Sequence, residues 1–193
     1  MPSYRLTPPS AEPVSVADAK TAARLVGDHW DGIVGASIAT ARAVAEHETG
    51  RRLVSQEWRH ELTDWPAITD QLPEHAPTAV AISYWNGSDW ATLAAENYVW
   101  APVGPGRAFI ALAPVVGGSW PALGTVAVGP LVRVDVTSGA ADATAAAAAY
   151  PEACTFIKAL VAVMVQDPTL TAGEHLAQHK YLRHVLDPIR LYR

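Results

Sequence analysis

Between residues 31 and 62 the hydrophobic period changes abruptly, and that change limits the folds open to the chain more than any other feature. Ile33, Val34, Ile38, Ala41, Val44 and Ala45 recur at three- and four-residue spacing, which gathers them on one face of a helix. Gly50 stands where a glycine ends such a helix. From Val54 the period is two, with Val54, Trp58 and Leu62 on one side and Ser55, Glu57, Arg59 and Glu61 on the other. A helix running straight into a strand predicts a mixed fold, and nothing in the junction carries catalytic chemistry.

The elements around it follow from the same reasoning. Ser15 is placed to cap a first helix, with Asp18 at the capping-box position and Gly27 as its expected end; a second helix reaches about Thr49. Residues 53–137, rich in Trp, Val, Pro and Gly, read as β. Ala79 to Trp85 and Trp90 to Leu93 flank an Asn86-Gly87 hairpin signal, further strands lie on either side of Gly104-Pro105-Gly106, and Val132, Val134 and Val136 alternate with polar residues. The tryptophans of this block are expected in packing, with a sugar-stacking site as the other reading. Residues 138–149 read as an alanine-rich linker or a weakly anchored helical approach, and Pro151 opens a third helix that is apolar on nearly every side. Such a helix is either the centre of the core or faces a neighbouring subunit. A last amphipathic helix is expected from about Ala172 to Leu186. The class is α+β: a small bundle of about four helices with a β-rich insertion between the second and third. With 193 residues, 50% of them hydrophobic, one domain spanning 1–193 is the simplest organisation.

Charge narrows the function. Residues 1–173 hold 10 Lys/Arg against 17 Asp/Glu, net −7, and residues 174–193 hold 4 against 2, net +2. An acidic body argues against binding nucleic acid through its phosphates. Residues 1–13 hold no apolar stretch of signal-peptide length, and no window reaches 18 uninterrupted apolar residues, so cytoplasmic synthesis and no membrane contact are expected. Cys154, the single cysteine, is expected as a buried structural thiol.

No chemistry-bearing cluster stands out. His175 and His179 have metal-ligand spacing and His184 lies near, but no glutamate sits between the pair, so exposed helix histidines are the plainer reading and no metal or cofactor is expected. Glu46 with Glu48, and Glu57 with Glu61, are placed on solvated faces, where carboxylates lack the environment that tunes acid–base catalysis. The glycines at 104, 106, 117 and 118 belong to turns, since neither group opens a helix after a strand as phosphate-binding loops do. No enzyme is expected.

Four stretches together resemble the head-tail connector (adaptor) proteins of long-tailed bacteriophages and phage-like gene transfer agents: Val16-Ala17-Asp18-Ala19-Lys20; Ile38 through Thr49-Gly50-Arg51-Arg52-Leu53-Val54-Ser55-Gln56-Glu57-Trp58; Val132 to Gly139 followed by Pro151-Glu152; and Leu186-Asp187-Pro188-Ile189-Arg190. Where that pattern usually has an aromatic residue before Thr-Gly-Arg, this chain has Glu48. The resemblance implies a neck component of a virion-like particle: a ring of twelve copies that joins the portal protein to a tail-side neck protein and leaves a channel through which DNA passes without sequence-specific binding. It points to residues 181–193 as the portal-docking segment, with Leu186, Pro188, Ile189, Leu191 and Tyr192 as apolar anchors and Arg183, Arg190 and Arg193 pairing with acids. Deletion of that segment is expected to leave the domain folded. The acidic body is expected to line the channel. Competing readings are another neck or tail-completion protein, a metal-dependent hydrolase built on His175 and His179, and a carbohydrate-binding module.

Overall fold

A computed structural model describes residues 2–67, 69–126 and 128–191. The chain forms two compact units, one helical (9–55 and 140–191) and one β (residues up to 8 and 56–139), and the fold is α+β.

In the helical unit α1 spans Val16–Ala23, capped by the Ser15 hydroxyl, which accepts the Asp18 amide at 3.0 Å. It ends four residues before Gly27: Arg24 adopts φ 58°, and the Leu25 amide closes on the Lys20 carbonyl at 2.9 Å. That early turn lets Leu25 pack on the core. The second helix, α2, spans Asp31–Thr49 and buries Val34, Ile38, Ala41 and Ala45; Ile33 falls off that face. Gly50 supplies the left-handed residue, φ 73°, that ends it. Residues 143–149, expected to be linker or weak helix, form α3, Ala143–Ala149, because the Asp142 carboxylate caps it by accepting the Ala145 amide at 2.8 Å.

The apolar helix is α4, Pro151–Gln166, and its place is the centre of this unit: Phe156, Ile157, Leu160 and Val161 are fully buried among residues of α1 and α2. The single helix expected over 172–186 is two: α5, Ala172–Gln178, and α6, Tyr181–His184, parted at His179. The break turns Leu182 and Leu186 into the core beside Leu176. Among the described residues there are thus six α-helices where about four were expected. No single one is long and apolar enough to cross a membrane; α3 and α4, which together would pass by composition, meet at 104°.

The β unit holds β1 (Ser3–Thr7), β2 (Gln56–Leu62), β3 (Pro77–Trp85), β4 (Trp90–Leu93) and β7 (Val132–Ser138) in one antiparallel sheet of order β1-β2-β7-β3-β4, with β5 (Tyr98–Val103) and β6 (Phe109–Pro114) as a separate hairpin. β1 has no counterpart in the sequence reading, because all five of its residues are exposed and leave no apolar alternation. The Asn86 side chain builds the expected turn by accepting the Ser88 and Asp89 amides, both at 2.9 Å. Opposite it, Gly124 lies so close to the Gly87 backbone that a Cβ has no room. Val132, Val134 and Val136 face inward with Ile82, Ile110 and Leu112. On the other face Arg59 grips Asp135 with two hydrogen bonds of 2.6 and 2.7 Å, and these hold the guanidinium pKa above its ordinary value.

Candidate functional site

The segment singled out for docking returns to the motif that carried the resemblance. Two carbonyls in the last turn of α2, those of Glu48 and Thr49, are left without helical partners, as at any helix end. Residues 190 and 191 supply the donors: Arg190 Nε to the Glu48 carbonyl at 3.1 Å and the Leu191 amide to the Thr49 carbonyl at 2.8 Å. In return Arg51 Nε donates to the Ile189 carbonyl. The Thr49 hydroxyl bonds back to Ala45, Gly50 makes the turn, and Leu53 fills the core, so each position of Thr-Gly-Arg-x-Leu has a structural duty.

Charge reinforces the closure. The Glu48 carboxylate, half-sheltered, receives Arg190 at 3.2 Å and Arg183 at 3.4 Å, and Arg190 also reaches Asp187 at 3.1 Å. Glu48 is therefore not on a solvated face. Neither is Glu46, which is buried, pairs with the buried Arg42 at 3.0 Å and accepts the Leu53 amide at 3.0 Å. Arg42 also holds Glu12 at 2.8 Å. Helical spacing alone places both glutamates outside; no local pattern signals that a segment 142 residues away covers the helix end.

Of the residues expected to dock, Leu186 and Leu191 are buried, Ile189 is partly buried against the helical core, and Arg190 is engaged with Glu48 and Asp187. Pro188 is exposed and Arg183 half-exposed. Tyr192 and Arg193 lie outside the described residues. Because Leu182, Leu186 and Leu191 complete the core, removal of 181–193 costs stability rather than leaving the fold intact.

The three histidines do not converge. His175 is buried, not exposed, with Nε2 3.0 Å from the Asp167 carbonyl; His179 packs edge-on against Tyr181; His184 pairs with Asp187 at 3.0 Å. Among the described residues no group of three or more His, Cys, Asp and Glu is arranged to hold a metal ion. Glu57 and Glu61 accept the Thr7 and Tyr4 hydroxyls, which ties β1 to β2. Cys154 is buried, its thiol donating to the Pro13 carbonyl at 3.6 Å, and burial pushes its pKa up. Three tryptophans of this block have engaged faces: Trp65 stacks on Trp120 at 4.6 Å, and Arg133 lies 3.8 Å over Trp90.

Sequence reasoning missed a polar centre in the β unit. His60 and Glu74, both 1% exposed, approach to 3.4 Å; His60 Nδ1 lies 2.8 Å from the Ser3 hydroxyl, and the Ser138 hydroxyl donates to Glu74 at 3.0 Å. Buried Gln56 sits two residues before Trp58, whose indole donates to it at 3.0 Å. The group ties β1, β2 and β7 to the segment before β3, so its evident duty is to hold strands together.

No protein-family model matches the chain, and no curated protein matches it significantly. Solved structures do. Over 100% of this chain and 97% of the other, it superposes on a chain in the neck of an empty gene transfer agent (GTA) particle computed with C6 symmetry, at TM-score 0.73 and 18% identity. With the same coverage it matches a chain in the virion of a native GTA particle at 0.73 and 21%, and one in the neck of a native GTA particle computed with C12 symmetry at 0.63 and 22%. The fold is that of a GTA neck chain. At these identities the likeness is one of fold, and it spans both units.

Proposed function

We propose that this protein is a structural component of the neck of a tailed phage or gene transfer agent particle, assembled there as a ring and performing no catalysis. The observation that carries the reading is the end-to-end agreement of fold with chains from particle necks computed with sixfold and twelvefold symmetry. A subunit in such a ring meets its neighbours through two different patches, and closed rotation turns that contact into a ring. The ring joins the portal to a tail-side protein, and its acidic body, net −7 over residues 1–173, keeps passing DNA from adhering.

Docking on the portal is the finer part of the proposal. Leu186 and Leu191 serve the subunit's own core, so the segment presents Pro188, Arg183 and the outward side of α6 unless it leaves its seat on α2. Repetition around a ring strengthens a small contact of this kind. The test is to mix the purified chain with a portal protein from the same genome and image the product. Rings seated end-on on the portal are the expected result. Failure to co-assemble, together with absence of the chain from purified particles, would falsify the reading.

A further inference from the structure

The two ends of α2 carry surfaces of opposite character, and we infer that they meet between neighbouring copies: the corner preceding α2 in one copy receives the outer face of α6 from the next. This rests on the ring reading and says which surfaces make the ring.

At the first end, Val26 is 86% exposed and Ile33 53%, an apolar pair that the helical core leaves outside. Asp28, its side chain 98% exposed, and Asp31, 49%, flank them. Both aspartates share one cation, Lys20, at 3.5 and 2.6 Å, and exposed Asp18 adds a further negative charge. Exposed Arg24 offsets part of this charge, so the corner is apolar with three acids, Asp18, Asp28 and Asp31, against two cations, Lys20 and Arg24.

At the second end, Tyr181 is 61% exposed, with Lys180 just before it at the helix N-cap and Arg183 and His184 after it on the same short helix. The Arg183 and His184 side chains are 51% and 77% exposed. Arg183 leans on Glu48 in the last turn of α2, which fixes this face at the C-terminal end of that helix. Tyrosine and arginine together are typical anchors of protein contacts.

The charges are complementary, each face has an apolar centre, and α2, 19 residues and about 28 Å long, runs between them. One molecule therefore cannot satisfy its own pair of faces, whereas a second copy can, and each copy added offers a fresh face of each kind. That is the head-to-tail contact a closed ring requires. The partner is a second copy rather than duplex DNA, because the cationic face adjoins Glu48 and Asp187 on a chain of net charge −5.

The test is directional cross-linking of the full chain, first alone at high concentration and then with its portal. In a Cys154→Ala background, a Val26→Cys, Tyr181→Cys double variant treated with a short bismaleimide is expected to give a ladder of dimers, trimers and larger species. Either single variant should give none, since two copies of one face do not meet. Asp28→Lys or Lys180→Glu should lower the ladder yield at least tenfold, and mixing those two variants should restore much of it. Salt should weaken it as well. Dimers from a single-cysteine variant, no ladder with or without portal, or cross-links from position 181 to a different particle protein only would each overturn the inference. Portal co-assembly of the wild-type chain is scored separately, so loss of this contact and loss of the neck reading are told apart.

Discussion

The helical unit closes over Phe156, Ile157 and Leu160, side chains without a polar atom, while the β unit keeps Gln56, His60, Glu74 and Ser138 away from water. Both contain buried charge, but it sits differently. In the helical unit Arg42 and Glu46 pair with each other one turn apart and with the adjacent Glu12 and the Leu53 amide. In the β unit Ser3, His60, Glu74 and Ser138 come from four separate stretches of chain. An apolar core tolerates small shifts in shape, whereas a buried polar group left without its partner loses hydration and gains nothing in return. The helical unit, where buried Thr49 and His175 bond to carbonyls four and eight residues away, thus joins its distant stretches mainly by volume, and the β unit partly by matched hydrogen bonds.

That contrast can be tested from its strongest point downward. Phe156→Ala, which empties the middle of α4, should cost about 3–5 kcal/mol in denaturant unfolding; a cost under about 1 kcal/mol would show that the helical interior can collapse onto the gap. Leu186→Ala should cost about 2–5 kcal/mol by the same measure, which distinguishes a core residue from a free docking anchor. His60→Ala should cost about 1–3 kcal/mol and, in hydrogen exchange, unprotect β1 before β3. If β1 keeps its protection, the polar group does not hold that strand. Thr171→Ala, which removes the cap of α5, should cost about 1 kcal/mol.

The last substitution also carries a dependence on pH. The Thr171 amide, and then its hydroxyl, hold the Glu174 carboxyl below the usual carboxylate value. A depressed folded-state value means that the contribution is present above the ordinary carboxylate range and fades as pH falls through the lower, folded value. In the wild type, exchange protection of α5 should therefore decline on acidification; Thr171→Ala, which keeps the amide and loses only the hydroxyl, should lessen that decline in part, and Glu174→Gln should abolish it.

How much was legible in the sequence follows the same division. Where burial is apolar and periodic, as in α2, α4 and β7, element type and inward face could be read directly: Val34, Ile38 and Ala41, or Val132, Val134 and Val136, announce themselves. In β2 the core positions are Gln56 and His60, so an alternation scored by hydrophobicity passes over them. β1, exposed along its length, has no pattern to score. The break at His179 and the early end at Arg24 answer to what Leu182 and Leu25 must reach, which is tertiary information. The candidate site was half visible. Both of its stretches, around Thr49 and around Ile189, stood out by resemblance, but that they bond to each other depends on a closure across some 140 residues, and no local spacing encodes that.

Cys154 gives this molecule a clock. Its thiol is shut inside the helical unit, bonded to Pro13 and resistant to ionising, so a thiol reagent reaches it only when that unit opens. The rate at which an alkylating dye attaches to the native chain thus counts opening events without any engineered label. Followed before and after mixing with a portal, the same rate would report whether joining the particle tightens the subunit or leaves it breathing as freely as it does alone.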